Sequence, residues 1–176
     1  TRGKVLNSSP SSKERDGILQ SENSKDSIAD GNLIFRNADK NDAVDIFKWR
    51  NHPDVRKNSF NTNPILWEEH EKWFKKKLAE SDIAIYTVCC RDKKIGAIRF
   101  EDKGEAVKVN IMLNPDFLGK GFGSKIIRLG TEKFIKERQP DKSIHAEIKK
   151  DNIASIRAFQ KAGYKESHLT FIYPYE

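Results

Sequence analysis

Apolar positions along the chain recur with two different periods, one helical and one strand-like. Apolar residues three and four apart form a single stripe on a helix, and that stripe faces the core. Val44, Ile46, Phe47 and Trp49 have this spacing, and Pro53 ends the segment because proline cannot continue a helix. Helices are predicted over Lys40–Arg50, from Asn63-Pro64 onward, over Gly121–Glu137 and over Asn152–Ala162. The apolar stripe of the second helix consists of Leu66, His70, Trp73, Phe74 and Leu78.

Segments rich in β-branched and aromatic residues lie between these helices and are typical of strands. Three of them follow one another in the middle of the chain. Their separators, Arg91–Lys94 and Asp102–Glu105, are short and polar, as expected of hairpin loops. The order predicts a mixed α/β (α+β) fold with one central sheet. The predicted strands are Leu33–Arg36, Ile83–Cys90, Ile95–Glu101, Ala106–Leu113 and Ser143–Ile148, with one or two more in Tyr164–Tyr175.

The first 31 residues differ in composition from the rest of the 176-residue chain. They are rich in Ser, Asn, Lys, Asp and Gly, and they contain no aromatic residue. Such a segment buries too little apolar surface to offset the entropy of ordering. We therefore expect residues 1–31 to be a flexible tail or an interdomain linker, and residues 32–176 to form the folded domain. A linker would imply an upstream fused domain.

The net charge of +7 and the sequence pI of about 9.3 suit an anionic partner, such as a phosphorylated molecule or cofactor. We find no nucleic-acid-binding motif, no metal-ligand spacing and no apolar run of the roughly 18 residues that a membrane helix needs. Cys89 and Cys90 are adjacent in a predicted strand, so their side chains point to opposite faces. A soluble protein of the reducing cytoplasm, with no membrane or nucleic-acid partner, is expected.

Three glycines at alternate positions, Gly119, Gly121 and Gly123, connect a predicted strand to a long helix. Glycine permits the backbone angles of a tight turn, and the free N–H groups at a helix N-terminus attract anions. The turn therefore suits a pyrophosphate. The spacing is neither that of the dinucleotide-binding G-x-G-x-x-G nor that of the P-loop. A turn that only tightens a strand–helix connection is the alternative.

The stretch Leu118-Gly119-Lys120-Gly121-Phe122-Gly123 resembles the pyrophosphate loop of the GNAT N-acetyltransferase superfamily, Q/R-x-x-G-x-G/A, with Leu118 in place of Gln or Arg. The later segment Asp151–Tyr164 is similar to that superfamily's N-x-x-S/A-x-x-x-Y-x-K-x-G-F. The resemblance implies a twisted, mostly antiparallel sheet with a splayed strand pair that holds acetyl-CoA. The cofactor-binding residues that it implies are Ile111, Met112, Leu113, Leu118, Gly119, Lys120, Gly121, Phe122, Gly123, Ser124, Asn152 and Phe159.

Acetyl transfer to an amine needs a base for the amine and a proton for the leaving thiolate. Glu147 matches the general base of the superfamily's ribosomal-protein acetyltransferases, and an ordinary charged strand end is the alternative. Phe159 occupies the position of the superfamily's proton-donating Tyr and cannot donate a proton. Ser155, Tyr164 and Tyr173 are the candidate substitutes, and proton donation by a water molecule and unassisted departure of the thiolate are the other routes.

The first two predicted helices resemble the acetyltransferases of nonulosonic (sialic-acid-like) sugar biosynthesis through the pattern W-R-N-x-P…R…S…E-H-x-x-W-F. This resemblance implies acetylation of the 4-amino group of a UDP-linked 4-amino-6-deoxy sugar. A protein N-terminal or ribosomal-protein acetyltransferase and a non-catalytic CoA-binding module are the alternatives, and a homodimer is left open. The implied acceptor-binding residues are Trp49, Arg50, Asn51, His52, Arg56 and Ser59.

Overall fold

A five-stranded sheet forms the centre of residues 32–167, which are the part of the chain that the structure, a computed structural model, describes. The first four strands pair antiparallel in chain order, and the fifth pairs parallel with the fourth. The mixed fold with a mostly antiparallel sheet is therefore confirmed. In order across the sheet, the strands are β1 (Leu33–Asn37), β2 (Ile83–Cys90), β3 (Lys93–Asp102), β4 (Val107–Leu113) and β5 (Ile144–His145).

Helices cover both faces of the sheet. Two helices of the N-terminal half pack on one face, where Ala97 of β3 joins a core cluster with Ile46, Trp49 and Phe74. A long helix of the C-terminal half packs on the opposite face. The helices are α1 (Ala43–Asn51), α2 (Pro53–Arg56), α3 (Trp67–Ala79), α4 (Phe122–Arg138) and α5 (Ile153–Lys161), and short 3₁₀ turns cover Lys40–Asp42 and Pro115–Phe117.

The long helix α4 approaches β3 closely at Gly130. A Cβ atom at this position would lie 3.0 Å from two side-chain carbons of Ile98, so glycine permits the contact. One turn further on, the ring of Phe134 stacks on Phe100 at 4.3 Å between centroids. Ile98 and Phe100 therefore face α4, whereas Ala97 and Arg99 point to the face of α1 and α3.

The N-terminal helices differ in three ways from the predictions. Residues 40–42 form a 3₁₀ turn before α1, and α2 was not predicted. The helix predicted from Asn63-Pro64 begins at Trp67 instead. The side chain of Asn51 explains this start, because its Nδ2 donates to the Ile65 carbonyl and its Oδ1 accepts from the Ile65 N–H, both at 2.9 Å. The first of these bonds uses the Ile65 carbonyl, which an earlier helical turn would need as an acceptor.

Two strands also differ from their predicted lengths by more than one residue. β3 begins at Lys93, because a tighter turn with Arg91 at φ 54° leaves fewer loop residues than predicted. The strand predicted over Ser143–Ile148 pairs with β4 only at Ile144 and His145, after which the chain leaves the sheet. The predictions for residues 1–31, and for the part of Tyr164–Tyr175 beyond residue 167, lie outside the described residues.

Candidate active site

A cavity of about 870 Å³ lies where the chain after β5 departs from β4. Past Lys108, β4 has no strand partner on its β5 side among the described residues, so the backbone edge of its last residues faces the cavity. This is the splayed strand pair that the resemblance implied. The walls are completed by Ala146–Lys149, by the N-terminal turns of α4 and α5, by α1 and α3, and by the loop between α2 and α3.

The glycine turn forms one end of the cavity. Gly119 and Gly121 have φ values of 72° and 79°, which side chains other than glycine adopt with strain. Gly121 is the N-cap of α4, and no side chain caps the helix there. The first N–H groups of α4 therefore remain available to an anion, and the positive end of the helix dipole favours one.

Most of the predicted cofactor-binding residues line this cavity. Lys120 does not: its ammonium group lies over the ring of Phe117, 5.4 Å from the centroid. Leu118, which replaces the usual Gln or Arg, does line it. The predicted residues at the cavity wall are Ile111, Met112, Leu113, Leu118, Gly119, Gly121, Phe122, Gly123, Ser124, Asn152 and Phe159.

Helix α5 forms the neighbouring wall, and it begins at a side-chain cap. The Oδ1 atom of Asn152 accepts a hydrogen bond of 3.2 Å from the N–H of Ser155, as the local pattern predicts. Three cations that the sequence reasoning did not select, Lys149, Arg157 and Lys161, line the cavity on or beside this helix. Together with the glycine turn, they make this half of the cavity attractive to phosphate groups.

Glu147 and Ser155 both line the cavity, and Glu147 has an ion-pair partner. The Lys108 ammonium on β4 lies 2.6 Å from its Oε2 atom, and the Glu147 side chain is 63% exposed. This contact fixes the carboxylate at the point where β5 and β4 separate.

Tyr164 is not among the cavity-lining residues. Its hydroxyl forms a 2.8 Å hydrogen bond with the hydroxyl of Thr131 on α4, and its ring packs edge-on against Phe159. Burial raises the pKa of Tyr164, although the Thr131 contact opposes the shift. The tyrosine therefore joins α5 to α4, and we do not retain it as a proton donor.

The acceptor residues predicted from the first two helices separate into two groups. Arg50 and Ser59 line the cavity. The Nη2 atom of Arg50 donates to the Asn61 carbonyl at 2.7 Å, and its Nη1 atom is buried without a hydrogen-bond partner among the described residues. Burial lowers the pKa of Arg50, and the charge of Arg56 lowers it further.

The other four predicted acceptor residues do not line the cavity, and they position its wall instead. Trp49 is buried in the core cluster. Asn51 binds the backbone of residue 65, His52 caps α2 through its Nδ1 atom, and Arg56 donates to the Thr62 carbonyl at 3.2 Å. The contacts of Asn51 and Arg56 order the loop that leads from α2 to α3.

Several residues outside the predicted acceptor-binding set also line the cavity. Arg99, Asn110 and Glu69 line it, and so does Trp73, whose predicted apolar stripe suggested a core position. The signal for Arg99 is its place between buried Ile98 and Phe100, since strand alternation sends it to the opposite face from theirs. Only the sheet register shows that this face is the cavity floor.

A family model for the acetyltransferase (GNAT) domain matches residues 32–165. The chain therefore belongs to the GNAT acetyltransferase family. The predictions of the family, of an acyl-transfer enzyme acting on amines and of acetyl-CoA as its cofactor are thereby confirmed. Within residues 32–167, no helix is long and apolar enough to cross a membrane, and no group of acidic, His and Cys side chains could hold a metal ion.

Two curated proteins and one solved structure illustrate the similarity. Acetyltransferase PseH of Campylobacter jejuni (serotype O:23/36, strain 81-176) is 30% identical over 66% of this chain and 72% of its own length. The uncharacterised protein MJ1062 of Methanocaldococcus jannaschii is 27% identical over 78% of this chain, and the match spans only 29% of that protein. The spermidine N-acetyltransferase of Vibrio cholerae, solved with CoA and spermine, has a TM-score of 0.69 at 19% identity, covering 78% of this chain and 83% of its own.

Proposed function

We propose that this chain acetylates the 4-amino group of a UDP-linked 4-amino-6-deoxy sugar, a step of nonulosonic acid biosynthesis. The observation that carries the proposal is a continuous cavity of about 870 Å³ that joins the glycine turn to a second half lined by Arg50, Phe60 and Trp73. A volume in this range accommodates a cofactor arm together with a second small molecule. The pattern of the first two helices supports a sugar acceptor, and the similarity to acetyltransferase PseH supports acetyl transfer.

The cofactor half of the cavity has the features that CoA requires. Gly121 leaves open space where a side chain would project, so a pyrophosphate can approach the N–H groups at the start of α4. The unpaired edge of β4 at Ile111–Leu113 offers backbone groups to the pantetheine amides. Lys149, Arg157 and Lys161 provide charge for the remaining phosphate. When bound, acetyl-CoA supplies the acetyl group as a thioester.

The acceptor half offers a cation and aromatic surfaces to a nucleotide sugar. The buried Nη1 atom of Arg50 has an unused hydrogen bond and suits a phosphate oxygen. The exposed ring of Phe60 and the half-exposed ring of Trp73 can stack on uracil or on a sugar face. Trp49 and Arg56 leave the set of contacting residues, because the first is in the core and the second braces the loop.

Glu147 is the proposed general base. Its carboxylate accepts a proton from the acceptor ammonium, and the resulting neutral amine attacks the acetyl carbon. A C–N bond forms, the C–S bond breaks, and the electron pair of that bond remains on sulfur. The nitrogen loses its second proton as the amide forms, and the sulfur takes up this proton, so that CoA leaves as its thiol. The Ser155 hydroxyl, which also lines the cavity, is the candidate hydrogen-bond donor to the departing thiolate. Phe159 contributes only apolar surface at this point.

The release of CoA from acetyl-CoA, read with a thiol reagent over a panel of amines, tests the proposal. The panel contains UDP-4-amino-6-deoxy sugars, other amino-sugar nucleotides, N-terminal peptides and polyamines. We expect turnover of the UDP-linked sugar, and Arg50→Ala to raise its KM while the Kd of acetyl-CoA is unchanged. Turnover restricted to peptides would replace the proposal with a protein acetyltransferase, and acetyl-CoA binding without any turnover would favour a binding module.

A further inference from the structure

Arg99 is a cation on the floor of the cavity with few contacts to balance its charge. Its side chain is 24% exposed, and its guanidinium group lies over the ring of Trp73 on α3 at 5.1 Å. Directly opposite on β4 is Asn110, which also lines the cavity. Since neighbouring strands are about 5 Å apart, Arg99 is one strand away from the β4 edge that we assign to pantetheine.

The hydrogen-bonding capacity of Arg99 is not used within the described residues. Its Nε atom is buried and has no partner there. The nearest carboxylate, that of Glu101, is 3.9 Å from Nη2, beyond hydrogen-bond distance. Glu101 in turn contacts the ammonium groups of Lys77 at 2.8 Å and Lys103 at 2.7 Å. Two nearer cations thus neutralise Glu101, and Arg99 keeps an excess positive charge.

Leaving such a group uncompensated costs free energy. Burial lowers the pKa of Arg99, and the distant Glu101 only partly opposes the shift. Trp73 covers one face of the guanidinium and excludes water from that side, which strengthens any interaction made by its edge. A buried arginine edge beside a cavity is suited to a planar or tetrahedral anion, to which it can donate two parallel hydrogen bonds.

We propose that Arg99 binds an anionic group of the acceptor, a carboxylate or a phosphate, and thereby selects amines that also carry negative charge. The inference deepens the proposed acetyl transfer and rests on it. Arg50 supplies a second cation on the same half of the cavity. A polycationic acceptor would place positive charge against both arginines, so polyamines are disfavoured by the same contacts that favour an acidic acceptor.

The test compares amines that differ only in charge: an amino sugar as its neutral methyl glycoside, as its uronate and as its 1-phosphate. We expect the anionic forms to exceed the neutral form in kcat/KM by about 10- to 100-fold, the effect of one or two charge-assisted hydrogen bonds. Arg99→Gln should remove this preference, mainly through KM, and leave the neutral glycoside within threefold of wild type. Arg99→Lys should keep part of the preference, because lysine has the charge but lacks the planar group that donates two parallel hydrogen bonds.

Lys103→Gln is the matched control. It removes one cation from Glu101 while Lys77 stays 2.8 Å from that carboxylate, and Lys103 does not line the cavity. This variant should keep the preference for the uronate and the phosphate. The inference is overturned if Arg99→Gln keeps that preference as well, or if it lowers kcat/KM equally for all three acceptors, as a purely structural residue would.

A binding measurement separates this inference from the proposed function. Inorganic phosphate and glucuronate are titrated into the CoA-saturated protein, where the cofactor phosphate sites are filled, and tryptophan fluorescence reports binding because Arg99 stacks on Trp73. Arg99→Gln should raise the Kd of one or both probes at least tenfold, and Lys103→Gln should not. If UDP-amino sugars are not acetylated but this difference is found, only the proposed acceptor fails. If they are acetylated and the Kd values agree, only the role of Arg99 fails.

Discussion

A fully buried carboxylate, Asp42, links the N-terminal helices to the sheet and provides the sharpest test of what stabilises this fold. Its Oδ1 and Oδ2 atoms each accept a 2.7 Å hydrogen bond from Arg36 on β1. Lys94 on β3 lies 2.8 Å from Oδ1, and the Thr87 hydroxyl on β2 donates to Oδ2 at 2.9 Å. One side chain therefore connects three neighbouring strands to the turn that begins α1.

Asp42→Asn removes the charge with little change in shape. Breaking a buried ion pair costs about 3–5 kcal/mol. Here the lower end applies, because Arg36 and Lys94 are 37% and 30% exposed and Lys94 retains Asp45 at 2.7 Å. We expect the free energy of unfolding to fall by about 3 kcal/mol, which for a protein of this size lowers Tm by about 6–12 °C.

Urea denaturation at several pH values measures this loss. Burial alone would raise the pKa of Asp42, but the hydrogen bonds from Arg36 and Lys94 outweigh it and hold the pKa well below the ordinary 3.8. Because the folded-state pKa is depressed, the stabilisation is complete above the unfolded-state pKa and is lost as pH falls from there toward the folded-state pKa. The difference between wild type and variant should therefore begin to shrink below about pH 4 and continue to shrink as the pH falls further.

A matched control is Asp45→Asn, which removes the exposed partner of the same Lys94. Its side chain is 39% exposed, so the loss should stay below about 1 kcal/mol. Ordinary surface substitutions change the free energy of unfolding by about 0.5 kcal/mol or less. The reasoning is refuted if Asp42→Asn changes that free energy by no more than this amount at neutral pH. A change in the slope m would instead point to an altered unfolded state.

Three further predictions concern the site. Glu147→Gln should lower kcat/KM by about 100- to 10,000-fold, the usual contribution of a general base. Lys108→Gln removes only the ion-pair partner of Glu147 and should lower kcat/KM less than about tenfold. Equal losses in the two variants would contradict the assignment of Glu147 as the base. Gly121→Ala should lower the free energy of unfolding by about 1–2 kcal/mol and raise the Kd of acetyl-CoA, as measured by calorimetry. Gly104→Ala, at a similar φ of 87° in another turn, should lower only the free energy of unfolding. Tyr164→Phe should leave kcat within threefold of wild type while lowering the free energy of unfolding by about 1 kcal/mol; a large loss of kcat would restore it as a catalytic residue.

The half of the cavity that we propose for the cofactor was largely predictable from the sequence, because its determinants are local. Gly121 and Asn152 act at helix N-termini a few residues from the groups they serve, and their neighbours in the chain are also their neighbours in space. The acceptor half depends on contacts between distant segments. Trp49 and Trp73 have similar helical patterns, yet the first is in the core and the second beneath Arg99. Sequence spacing cannot distinguish these two positions, since the difference arises only when α3 packs on β3.

The shortness of β5 connects the fold to the site. Had the strand run over Ser143–Ile148 as predicted, the register of β5 would have carried its pairing with β4 as far as Ile111, the first residue of the edge that the proposed cofactor needs. Instead, pairing stops at His145, and the next residues form a separate cavity wall that carries Glu147. Lys108 is the last β4 residue that pairs with β5. Its 2.6 Å contact with Glu147 holds that side chain at the point where the two strands separate. The early end of β5 therefore both opens the proposed cofactor groove and positions the proposed base, so lengthening β5 should impair both cofactor binding and proton transfer.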